Sequence, residues 1–232
     1  MGASTTLPFM KRLGPWLALG AMAAGATGQA SAQGADLRGK LTILDKGGKR
    51  GTDVVTAVVW LDGAGTARAG SVQVVTQNKA FAPEVVVVAP GSSVSFPNYD
   101  PFNHNVFSLA EEGPFDLGLY GRGETRTTRF DKPGVIRVYC NVHAQMAAVV
   151  VVLTSSLHTR PASDGSFTLS SVPPGRYQLH AWHDRGGQVS QEVVVTAGDA
   201  APIELTLDAS SFRQKPHLNK FGKPYPSEGR RY

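Results

Sequence analysis

The sequence predicts an all-β protein built from sandwiches, and three observations carry that expectation. No stretch of the 232 residues shows the apolar spacing of an amphipathic helix. Short runs rich in Val, Thr and Phe recur instead, separated by Gly, Pro, Asn and Asp at sandwich spacing. With 41% hydrophobic and 18% charged residues, the chain can bury a core and is neither disordered nor fibrous. No internal repeat is present.

The first segment reads as an address rather than as structure. Lys11 and Arg12 precede an uncharged apolar run over residues 13–26, and Ala30-Ser31-Ala32 supplies small residues where a signal peptidase cuts. Residues 1–32 are therefore expected to be a signal peptide for export to the periplasm. The apolar run is shorter than the roughly 18–20 residues of a spanning helix, so no stable membrane insertion is expected after cleavage. No Cys near the cut suits a lipid anchor.

Predicted strands then follow at residues 40–44, 54–61, 72–76, 84–88, 93–96, 125–130, 135–139, 147–153, 166–169, 177–181, 192–196 and 202–207. Ala89-Pro90-Gly91, Lys132-Pro133-Gly134, Asp164-Gly165 and Pro173-Pro174-Gly175 supply turns between them. Residues 210–232 lack periodicity and contain 6 basic side chains against 1 acidic, so they read as a flexible basic tail, mobile or loosely docked. The body before that tail is near neutral, which excludes a nucleic-acid-binding face. The tail alone could steer toward an acidic partner.

The single cysteine, Cys140, cannot form an internal disulfide, and an exposed thiol is a liability in an oxidising compartment. It sits in Cys140-Asn141-Val142-His143-Ala144-Gln145-Met146, a thiolate, an imidazole and a thioether at C-x2-H-x2-M spacing. Ile136, Val138 and Cys140 share one face of the preceding strand, so the sulfur points inward at the strand's end. A second imidazole, His104, comes from Asp100-Pro101-Phe102-Asn103-His104-Asn105. Two His, one Cys and a weak axial Met form the donor set that selects copper and supports blue-copper electron transfer. Zinc shares the Cys and His donors, but its structural sites seldom take Met.

On these residues, positions 69–154 resemble a cupredoxin of the plastocyanin and amicyanin type, with a loop as short as amicyanin's. The resemblance implies a Greek-key sandwich holding one type 1 copper ion by His104, Cys140, His143 and Met146. It also implies that Asn105 ties the two ligand loops together by hydrogen bonds, and that the ring edge of His143 is the electron port. Relatives often carry Pro after the second loop His; here Ala144 stands there.

A second resemblance lies around this domain. Asp164-Gly165-Ser166-Phe167-Thr168-Leu169 and Val172-Pro173-Pro174-Gly175-Arg176-Tyr177-Gln178-Leu179 are similar to the second half of a carboxypeptidase-regulatory-like, transthyretin-like sandwich. Residues 36–65 would supply the first half and residues 157–208 the second, with the copper domain inserted between them. The alternative is two tandem domains. His180, Trp182 and His183 lie near the end of one strand, but the two His diverge across it, so hydrogen bonding or packing is the expected role rather than a second metal site. His158 and His217 have no recognisable partner in the sequence.

The whole arrangement is similar to bacterial proteins of the methylamine-utilisation or plastocyanin-like kind, which implies a periplasmic redox setting. The expected function is to carry single electrons between periplasmic redox proteins, without being an enzyme. The alternatives are copper storage, delivery or sensing, a redox enzyme, and an adhesion sandwich. Multicopper enzymes need added His ligands, often H-x-H pairs, and no H-x-H occurs.

Overall fold

The structure, a computed structural model, describes residues 1–2, 34–196, 201–213 and 216–225. Residues 3–32 of the expected signal peptide and parts of the tail lie outside the described residues.

Among the described residues seventeen strands follow one another. The first two are β1 (Ala35–Leu44) and β2 (Val58–Asp62). A central group follows: β3 (Ser71–Gln73), β4 (Val75–Gln77), β5 (Ala80–Ala82), β6 (Val85–Val88), β7 (Ser92–Pro97), β8 (His104–Ser108), β9 (Phe115–Tyr120), β10 (Thr125–Phe130), β11 (Gly134–Cys140) and β12 (Ala147–Val152). The last group is β13 (His158–Thr159), β14 (Ser166–Val172), β15 (Gly175–His183), β16 (Gly187–Val195) and β17 (Ile203–Asp208).

The pairing divides these strands into two lobes. In the central lobe, the order β10-β7-β3 forms one sheet and β6-β12-β11-β8-β9 the other, with β4 and β5 as a short ribbon. The flanking sandwich has sheets β14-β1-β17 and β13-β2-β15-β16. Strands from before the central lobe thus pair with strands from after it. Among the described residues β2 pairs with β13 and β15 only, with Trp60 opposite His158 and Leu61 opposite Leu179.

Each lobe has its own apolar core. Leu37, Leu41, Ile43, Leu61, Phe167, Leu169, Leu179 and Leu207 fill the flanking sandwich. Phe96, Val106, Tyr120, Ile136, Val138, Cys140, Met146 and Val150 fill the central lobe. A third cluster, containing Val58, Trp60, Val85, Val149, Val151 and Trp182, joins the two lobes. This joint explains the unbroken apolar sequence of β12. Its even-numbered side chains enter the central core, while Val149 and Val151 face β2 and β15. A strand buried on both faces loses the polar alternation of a surface strand. Arg137 of β11 and Asp184, just past β15, add a surface ion pair at 2.6 Å across the joint.

One local expectation fails for a physical reason. The segment expected as one strand over residues 54–61 begins instead with a 3-10 turn, Val54–Thr56. The amides of Thr56 and Ala57 bond back to Asp53 and Val54, and the Thr56 hydroxyl donates to the Asp53 carbonyl. Of the two states expected for the basic tail, mobile or loosely docked, its described residues 216–225 take the docked one: they lie against the central lobe, with Tyr225 bonded to Cys140 and Lys220 to Asn141.

Candidate metal centre

Two strand ends and one loop build the site. β11 ends at Cys140, residues 141–146 turn, and β12 leaves in the antiparallel direction. The turn is closed by its own backbone: the Met146 amide donates to the His143 carbonyl at 3.1 Å, and the Cys140 amide to Met146 at 3.2 Å. Because β8 is the neighbour of β11, with Val106 opposite Cys140, His104 is brought to the same end of the sheet.

There the donors converge. Nδ1 of His104 lies 3.6 Å from the Cys140 sulfur, and Nδ1 of His143 lies 3.8 Å from it. His104 and Cys140 are fully buried and His143 half-buried, and all three donor atoms fall within 4.8 Å of one another. Met146 is buried in the same core as Cys140. Phe102 packs beside both imidazoles, with centroids 5.4 Å and 5.3 Å from those of His104 and His143.

The surrounding groups prepare these donors. Burial raises the Cys140 thiol, but hydrogen bonds from His104 and from the backbone of Asn105, Val142 and His143 outweigh it, so the thiol titrates below its ordinary value. That favours thiolate, the form that binds metal. Burial likewise lowers His104, but the Cys140 sulfur and the Asp100 carboxylate outweigh it and raise the imidazole. His143 is lowered, by burial and then by the charges of His104 and Lys79. It therefore stays a neutral imidazole, the ligating form.

Asp100 is a residue that the sequence reading missed. Its carboxylate lies 2.9 Å from Nε2 of His104. It also accepts from the amides of Asn78 at 2.7 Å and Lys79 at 3.0 Å, two residues with positive φ that form the β4–β5 turn. A carboxylate on one ring nitrogen fixes the tautomer and leaves the other nitrogen's lone pair facing the site. The only sequence signal was its place four residues before His104.

Asn105 links the two ligand loops through its backbone, its carbonyl accepting the Asn141 amide at 2.9 Å. Its side-chain amide turns away, donating to Asp116 at 2.6 Å and to the Gly118 carbonyl at 2.9 Å. His180 and His183 serve packing and hydrogen bonding. His180 stacks on Trp60 and pairs with Asp62, and His183 bonds the Thr56 hydroxyl.

Comparison with known proteins agrees with this geometry. Residues 69–153 match the model for copper binding proteins of the plastocyanin/azurin family. Over 74 residues the chain is 34% identical to plastocyanin from Ulva arasakii, covering 28% of this chain and 76% of that protein. The chain belongs to the plastocyanin/azurin family. Copper is accordingly the cofactor of this cupredoxin, and a donor set of two imidazoles, a thiolate and a thioether suits it. Plastocyanin from Ulva pertusa matches to the same extent, 34% over 74 residues and 76% of that protein.

Residues 138–208 of the cupredoxin also match a carboxypeptidase regulatory-like domain. That match overlaps the copper-binding one over residues 138–153, where the strands pair within the central lobe. Among solved structures, a purple cupredoxin from Nitrosopumilus maritimus is 22% identical, covering 35% of this chain and 98% of its own at a TM-score of 0.32. A reduced amicyanin variant is 17% identical, covering 41% and 98%, with a TM-score of 0.34. A copper-containing nitrite reductase from Thermus scotoductus SA-01 is 28% identical, with a TM-score of 0.34. The match to it spans 36% of this chain and only 22% of the reductase.

Proposed function

We propose that this protein carries single electrons between redox partners, through one type 1 copper held by His104, Cys140, His143 and Met146. The observation that supports this most directly is the approach of both imidazole Nδ1 atoms to one buried sulfur, at 3.6 Å and 3.8 Å. Copper bound to such a set supplies a one-electron couple at a site that suits neither oxidation state fully. The chain's own part is to hold the donors still. The two strand ends, the Asp100 carboxylate and the bond between Asn105 and Asn141 all limit rearrangement when the charge changes.

His143 is read as the electron port. Its ring is half-buried while His104 is fully enclosed, and the neighbouring Val142 is 45% exposed. An exposed apolar side chain beside a half-buried imidazole suits brief docking with a partner. A carrier rather than an enzyme is favoured because His180 and His183, the imidazoles near strand ends of the flanking sandwich, are engaged in structural bonds.

The setting is read as the periplasm, from the export signal in the sequence. Among the described residues no helix is long and apolar enough to cross a membrane. The pairing of β1 with β14 and β17, and of β2 with β13 and β15, supports a copper domain over residues 69–154 inserted in a sandwich made of residues 36–65 and 157–208. The basic tail is read as a contact for an acidic partner, although Lys220 already pairs with Asp116 of this chain at 2.6 Å.

Expressing residues 33–232 and adding Cu(II) tests the reading. An intense visible thiolate-to-copper band and reversible one-electron cycling are expected. Copper binding without cycling would favour storage, delivery or sensing instead.

A further inference from the structure

Three of the four proposed ligands sit within seven residues, and the connecting segment Asn141-Val142-His143-Ala144-Gln145 contains no proline. Ala144 and Gln145 are exposed, so packing does not fix them from outside. Something else must limit the freedom of a loop whose geometry decides how firmly metal is held.

The C-terminal segment supplies several contacts to that loop. The Tyr225 hydroxyl donates to the carbonyl oxygen of Cys140 at 2.6 Å. The Lys220 amide donates to the side-chain oxygen of Asn141 at 2.9 Å. His217 stacks on Tyr139, the residue before Cys140, with ring centroids 4.2 Å apart and planes 23° apart. Tyr225 closes edge-on against His217 at 5.1 Å. The segment reaches the other ligand strand as well. The Lys220 ammonium pairs with Asp116 at 2.6 Å, and Asp116 accepts from Asn105, the neighbour of His104.

The segment is itself folded into a turn that aims these groups. The Asn219 side-chain oxygen accepts the amides of Phe221 and Lys223, both at 3.0 Å. The Asn219 amide returns to the Lys223 carbonyl at 2.8 Å, and Gly222 takes the positive φ that this tight turn requires. Such a defined shape is what a fixed brace needs and a solvated tail does not.

We propose that residues 216–225 form a strap that clamps the loop over residues 140–146, with Tyr225 as its positioning residue, so that it governs how fast this cupredoxin releases copper. The copper part rests on the ligand reading above; the clamping of the loop does not. The strap reaches Cys140 through its carbonyl and Asn141 through its side chain, so it acts on the backbone that aims the ligands and touches no proposed donor atom.

The test uses the full mature chain with Tyr225→Phe, which keeps the ring and removes the hydroxyl, and His217→Ala, which removes the stack. Amide hydrogen exchange of residues 141–146 is read in the copper-free protein, and transfer of copper to a chelator in the loaded protein. Loss of one hydrogen bond to a loop that opens locally should speed both by about 3- to 10-fold, while the global unfolding midpoint stays put. Wild-type exchange and release rates in both variants would overturn the strap, as would loosening spread evenly through the chain. If the wild type forms no thiolate–copper band, the ligand reading fails, and exchange in the copper-free protein alone then decides the strap.

Discussion

The carboxylate of Asp100 meets Nε2 of His104 at 2.9 Å, with both side chains almost wholly enclosed. This contact turns Nδ1 of His104 toward Cys140 and places a negative charge just behind one proposed ligand. Removing that charge without removing the acceptor isolates its electrostatic part. Asp100→Asn should leave the thiolate-to-copper band in place and raise the reduction potential, because the oxidised state carries the greater positive charge. The rise should be on the order of tens of millivolts at the effective dielectric of a protein interior. Protein-film voltammetry reads it, and an unchanged or lowered potential would count against the role given to Asp100.

Met146 is buried in the core that contains Cys140. Met146→Leu keeps the volume and removes a weak electron donor that favours the oxidised state. Copper should stay bound, the band should persist, and the potential should rise. An unchanged potential would remove Met146 from the ligand set.

Acid should weaken the flanking sandwich. Asp53 titrates below its ordinary value, chiefly because Arg185 hydrogen-bonds its carboxylate at 2.6 Å and 2.7 Å, against an opposing effect of burial. His183 is also lowered, first by burial, with Asp53 opposing that shift and Arg185 adding to it. Both folded-state values lie below their unfolded ones, so the unfolded chain takes up protons first. The His183 contribution is complete above its unfolded pKa of about 6.5 and fades as the pH falls below it. The Asp53 contribution fades below about 4, as the pH falls through its lowered value. Urea unfolding across this range should show the decline, and Arg185→Gln should flatten its acid limb.

The lobe joint offers a cooperative test. Trp182 is 5% exposed and packs with Trp60, Val149 and Val151. Trp182→Ala should cost about 3–5 kcal/mol, the usual range for deleting a buried indole. Unfolding followed by tryptophan fluorescence and by the visible copper band should shift together if the joint couples the lobes. A band that keeps its wild-type midpoint would show that the copper lobe stands alone.

The donor set was legible because its signal is local. Three proposed ligands fall in one heptapeptide, and the alternation of Ile136, Val138 and Cys140 gave the sulfur its inward direction. The copper lobe's apolar strands were legible for the same reason. The short β5 and the polar β9 were not, since Ala80–Ala82 and Phe115–Tyr120 carry little alternation and owe their form to partners across the sheet. Asp100 and the strap were hidden for a related reason. An aspartate before a proline reads as a turn, and Tyr225 meets Cys140 across 85 positions of sequence that no spacing rule connects. His217 seemed to lack a partner because that partner, Tyr139, is likewise remote.

Visible absorption during Cu(II) titration, run on the mature chain and on Cys140→Ser, tests the central claim most directly. The account predicts an intense band that saturates at one copper per chain and vanishes in Cys140→Ser. A wild-type protein that takes up copper without that band, or a Cys140→Ser protein that keeps it, would contradict the assignment of the sulfur as the ligand on which His104 and His143 converge.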